Sequence, residues 1–124
     1  MTQTFIIWGR LPGLNEIINA DRSHWAKGSR LKKKTLEAVM WYIVAAGLKR
    51  IDKPVIIHYR FYEESRLRDV GNVLAGADKV IEDALVKSGI LPDDGQKWVR
   101  NIVPWFGVDK GNPRIEVELK EETI

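Results

Sequence analysis

The stretch V55-IIHYRFYEESRLRDVGNVLAGADKVIEDALVKS-G89 decides the fold, because two different periodicities meet inside it. From Pro54 to Glu63 the apolar run is nearly continuous and rich in β-branched and aromatic residues, which predicts a central strand covered on at least one face. From about Asn72 to Ser88 the period changes. Val73, Ala77, Val80, Ile81 and Ala84, with Leu85 at the edge, fall on one side at about 100° per residue, and Gly89 ends the run. Strand, loop, helix is therefore the central unit, with "ESRLRD" as its loop.

Outward from this unit the elements are shorter. "TFIIWGR" (residues 4–10) reads as a first strand. Residues 11–30 carry Pro12, Gly13, Asn15, Asn19 and Gly28 and read as a long irregular loop. From about Leu31 a helix is predicted, with Leu36, Met40, Ile43, Val44 and Leu48 as its buried stripe. "KWVRNIVPWFGV" and "RIEVELKE" read as two further strands, the second alternating cleanly, and "DKGN" between them reads as a hairpin turn. The expected fold is a single α+β domain over residues 1–124, with two helices packed on a mixed, mainly antiparallel sheet.

Composition narrows the function classes. With 124 residues and 44% hydrophobic content the chain can bury a core. No apolar run is long enough to span a bilayer, and the N-terminal stretch lacks the pattern of a signal peptide, so no membrane partner and a cytoplasmic location are expected. There is no cysteine, which excludes disulfides and thiolate-bound zinc. The net charge of +3 is mild, but it is unevenly spread. Lys27, Arg30, Lys32, Lys33 and Lys34 cluster in "KGSRLKKK", and Arg66 and Arg68 flank Asp69. Such clusters neutralise phosphates; a solvated helix start is the bland alternative at even weight.

The acidic residues of the second helix need sorting. Asn72, Gly76, Lys79 and Asp83 form a narrow polar stripe at spacings of four, three and four. Asp78 and Glu82 fall elsewhere and are expected in solvent. Asp69 suits an N-cap, Lys79 with Asp83 suits an i, i+4 ion pair, and Asp93 and Asp94 suit a turn. Taken together they admit another reading. Gly89 and Pro92 let the chain fold back, so that Asp94 approaches Asp69 with a lysine nearby, and two carboxylates from different loops suit Mg²⁺. His24 and His58 have no zinc-like spacing. Five tryptophans are many for this length; core or dimer contact is the default for Trp41, Trp98 and Trp105, and for Trp25, in the basic loop, packing is the default and stacking on an unpaired base the alternative.

"RDVGN", "DKVIEDALVKSGI" and "PDDG", with "LPGLN" near the start, resemble the RusA family of Holliday-junction resolvases in its phage and prophage form. The motifs cover roughly a quarter of the chain. The resemblance implies a homodimer that binds branched DNA, a four-way junction, and cuts it by paired, Mg²⁺-dependent nicks, with Mn²⁺ as a possible substitute. It implies Asp69 and Asp94 as metal ligands, Asp83 as a supporting carboxylate and Lys79 as the active-site lysine. Asn15 and Asn72 match family positions in its DNA-contacting loops, and the basic residues named above would meet the DNA backbone. Gly71 stands where the family carries its second Asp. That departure opens an alternative, a junction- or DNA-binding protein with weak or lost cleavage. An accessory protein acting only through protein contacts is a third reading.

Overall fold

The computed structural model describes residues 1–122. The elements run β1 (Thr2–Trp8), α1 (Leu14–Ser23), α2 (Trp25–Ala45), β2 (Val55–Glu63), α3 (Val70–Lys87), β3 (Val99–Val108) and β4 (Arg114–Glu121). The four strands form one sheet in the order β1-β4-β2-β3. β4 pairs antiparallel with both β1 and β2, while β2 and β3 are parallel. The fold is α+β with a mixed, mostly antiparallel sheet.

Side-chain alternation explains where the core sits. On β2, Val55, Ile57, Tyr59 and Phe61 are buried, and on β4 so are Ile115, Val117 and Leu119. They meet Val73, Ala77, Ile81, Ala84 and Leu85 of α3 and Val39 and Ile43 of α2 in one cluster. The alternate residues of β2, such as His58 and Arg60, leave the opposite face of the sheet open to solvent or half-buried. No helix among the described residues is long and apolar enough to cross a membrane.

Three sequence expectations need correction. The segment taken as a long loop is α1 and the first turns of α2, so three helices cover the sheet rather than two. Its glycine at position 28 is a contact residue: a Cβ there would lie 1.7 Å from Asp21 Oδ1, so its absence lets α1 and α2 approach. "DKGN" does not close a hairpin. β3 takes β2 as its partner through the parallel β2–α3–β3 unit, and the chain then crosses the end of β2 to insert β4 between β1 and β2. Val44 is 71% exposed, because Val39 and Ile43 carry the buried side of α2. Gly47 and Gly89, both at positive φ, end α2 and α3 as left-handed caps.

Candidate functional site

The two N-terminal-side motifs, far apart in sequence, meet in space. The backbone N–H of Asn15 donates to Asn72 Oδ1 at 2.7 Å. One turn along α3, Gly76 lies against the backbone of Pro12 and Gly13; a Cβ there would be 2.5 Å from the Pro12 carbonyl oxygen. Asn72 therefore spends its amide oxygen on the first turn of α1, and Gly76 is the gap into which the Pro12–Gly13 segment fits.

Arg68 is tied down in the same region. Its guanidinium donates to Glu63 through two nitrogens at 2.9 and 2.8 Å, to the Leu11 carbonyl at 2.7 Å and to Glu16 at 3.3 Å. Burial works against the charge, but the hydrogen bonds and charges of Glu63 and Glu16 outweigh it and hold the pKa above the ordinary arginine value. Glu16 also holds Arg10 at 2.6 Å. Arg68 thus joins the end of β2 to the entry of α1, whereas Arg66, the other arginine of this loop, is exposed and has no ion-pair or hydrogen-bond partner among the described residues.

Further along α3 the polar stripe changes character. Lys79 Nζ lies 3.3 Å from Asp83 Oδ1, with the lysine 74% exposed. The hydrogen bond to Asp83 and then the charge of Asp83 raise the Lys79 pKa, and Asp94 adds to this from the following turn. The two turn aspartates differ: Asp93 accepts from the Gly95 N–H at 3.3 Å, whereas Asp94 faces Lys79 and Glu82 with its charge. Lys79 and its ion-pair partner Asp83, with Asp94 near enough for its charge to act on the lysine, form an acid–lysine ledge.

Behind the ledge lies a pair of residues that the sequence placed in solvent. Glu82 is buried, at 9% exposure. Its pKa is pushed up to about 9, first by desolvation, then by a hydrogen bond with Asp78, by the Asp78 charge and by the Asp94 charge. At neutral pH it is therefore a neutral acid that donates to Asp78. Asp78 also accepts from the Tyr59 hydroxyl at 2.7 Å. Burial first, and then Asp78, hold Tyr59 well above its ordinary value, so the hydroxyl keeps its proton. The sequence placed Asp78 and Glu82 beyond the buried side of α3, but a helix wedged between a sheet and two other helices buries a wider arc than its apolar residues mark. The signal was present in β2: a tyrosine on the core face of a central strand needs a partner for its hydroxyl.

Asp69 stands apart. It occupies the N-cap of α3, yet its side chain makes no cap hydrogen bond, and it is exposed. Roughly 15 Å of helix axis separate it from Lys79 and roughly 20 Å from Asp83, at 1.5 Å per residue. Asp69 and Asp83 cannot share one ion. No group of three or more His, Cys, Asp or Glu among the described residues is arranged to hold a metal.

The basic residues divide as well. Lys32 is paired with Asp21 at 2.9 Å. Lys27, Arg30, Lys33 and Lys34 are exposed and have no ion-pair partner among the described residues. A groove of about 930 Å³ runs between α1, α2 and α3; Lys32 and Lys33 line one wall, Lys79 and Asp83 the other, over a floor that includes Leu36 and Met40. Asn15 is exposed at the entry of α1. No family model matches the chain, and no curated protein matches it.

Proposed function

We propose that the chain binds branched DNA and nicks its backbone by hydrolysis, as the RusA-type resolvases it resembles do, acting as a homodimer so that two equivalent sites make two symmetric cuts. The observation that carries this reading is the Lys79–Asp83 ion pair, with the exposed lysine within reach of the Asp94 charge. In this reading Lys33 and the basic start of α2 hold the phosphate backbone, and the groove leads it to the ledge. Such contacts position DNA without reading its sequence.

Asp83 and Asp94 would hold Mg²⁺ (or Mn²⁺), which supplies positive charge at the phosphate and a more acidic water. Lys79 is exposed, so its ammonium is free to swing from Asp83 to a phosphate oxygen and offset the charge that develops there. Asp78 and Glu82 support the ledge from behind: the proton that Glu82 keeps prevents a second full negative charge from building up next to Asp94.

Gly71 favours the second reading, a protein that binds junctions and cuts weakly or not at all. A Cβ at Gly71 would meet nothing within 4 Å, so an aspartate fits there sterically. The test is a labelled synthetic four-way junction incubated with and without Mg²⁺ beside Gly71→Asp. Paired nicks by the wild-type chain support the first reading. Salt-sensitive binding without product supports the second, and cleavage gained by Gly71→Asp would then place the metal at the start of α3 beside Asp69, roughly 18 Å along the axis from Asp83.

A further inference from the structure

Trp25 was expected to pack, yet it is 77% exposed. By helical angle it lies on the same side of α2 as the buried Ile43, but at the tip of the helix where nothing covers it. Its ring stacks beside that of His24, with centroids 6.2 Å apart and planes 17° apart. His24 is itself fixed, because its Nδ1 accepts from the Ala26 N–H at 3.2 Å. The result is a flat, anchored aromatic pair facing solvent.

Its surroundings have one sign of charge. Between Asp21 and Glu37 the chain carries Arg22, Lys27, Arg30, Lys32, Lys33 and Lys34 and no acid. Among the described residues only Lys32 is paired. Arg30 is roughly 8 Å along the axis from Trp25, and Lys27, Arg30 and Lys33 fan around the other sides of the first turns of α2, so the cations surround the helix tip that carries the ring. The other highly exposed tryptophan of α2, Trp41, packs edge-on against Tyr42 and has no such cluster.

We propose that Trp25, braced by His24, is a stacking platform for an unpaired nucleobase, with Lys27, Arg30 and Lys33 holding the flanking phosphates. Charge complementarity selects a polyanion, and the exposed ring selects one that presents flat apolar faces, which together describe single-stranded or unstacked nucleic acid. A continuous duplex keeps its bases stacked and offers the ring nothing. The platform rests on the branched-DNA reading and gives it a reason to prefer branch points, where bases are unstacked.

The test measures binding to a labelled oligothymidylate, an abasic strand of equal length and a duplex, over a range of salt. The proteins are wild type, Trp25→Ala and Trp25→Phe. For each stacked base, Trp25→Ala should weaken oligothymidylate binding roughly 5- to 150-fold. Binding to the abasic strand and the duplex, and the salt slope, should be unchanged because no charge is lost, and Trp25→Phe should recover most of the affinity. An equal loss on thymidylate and abasic strands overturns the platform, as does salt-dependent binding that is indifferent to Trp25. So does a change confined to self-association in sedimentation, which would assign Trp25 to a second copy of the chain. No DNA binding by the wild type at any salt overturns the DNA reading as a whole and the platform with it, an outcome distinct from binding that ignores Trp25.

Discussion

The polar stripe of α3 has two halves with opposite fates. Asn72 and Gly76, in the first half, are used up by the fold: one is hydrogen-bonded to the start of α1 and the other is filled by the Pro12–Gly13 backbone. Lys79 and Asp83, in the second half, bond only to each other among the described residues, the lysine exposed and the aspartate half-buried. The spacing is the same throughout, so the difference comes from what packs alongside. Where α1 covers the stripe, small size and a single amide are required; where the cover ends, charge is tolerated and chemistry becomes possible.

The largest expected effect falls on the covered half. Gly76→Val should destabilise the protein by about 2 kcal/mol or more, since backbone atoms at Pro12 and Gly13 must move; a denaturant midpoint equal to wild type would break the comparison. The next lies behind the open half. The folded-state pKa of Glu82, about 9, is above its ordinary value of 4.5, so the folded state keeps a proton that the unfolded chain releases. Stability should therefore fall as pH rises through that window, with a slope of at most about 1.4 kcal/mol per pH unit. Glu82→Gln, which keeps a donor for Asp78 without an ionisable proton, should flatten that fall in melts taken from pH 5 to 9.

Smaller effects sharpen the contrast. Asn72→Ala should cost about 1 kcal/mol through the lost bond to the Asn15 N–H. Gly71→Asp should stabilise by roughly 0.5–1 kcal/mol, because a non-glycine residue in open space and an acid in the first helical turn both favour α3. Lys79→Ala should change stability by less than about 0.5 kcal/mol, the scale of an exposed i, i+4 pair. A loss as large as that of Gly76→Val would show that the open half is structural too.

Much of the architecture was legible because burial leaves a period. The continuous run of β2, the alternation of β4 and the apolar side of α3 each map onto observed elements. What was illegible depends on contacts between distant segments. Gly13 and Gly28 look like turn formers in a sequence, but here they allow close packing around α1. The parallel pairing of β2 with β3 leaves no local mark, so Lys110 and Gly111 suggested a hairpin that the sheet does not make. At the candidate site the sequence singled out the stripe residues Lys79 and Asp83. It missed Tyr59, Asp78 and Glu82, since a carboxyl group reads as solvated until its hydrogen-bond partner is known.

The most direct test of the account is cleavage of a four-way junction in Mg²⁺ by wild type, Asp94→Asn and Lys79→Ala, with binding measured on the same substrate. The ledge predicts paired nicks by the wild type, their loss in both variants, and junction affinity that is preserved in Asp94→Asn. Wild-type cleavage that survives both substitutions would contradict it and move the chemistry away from this end of α3.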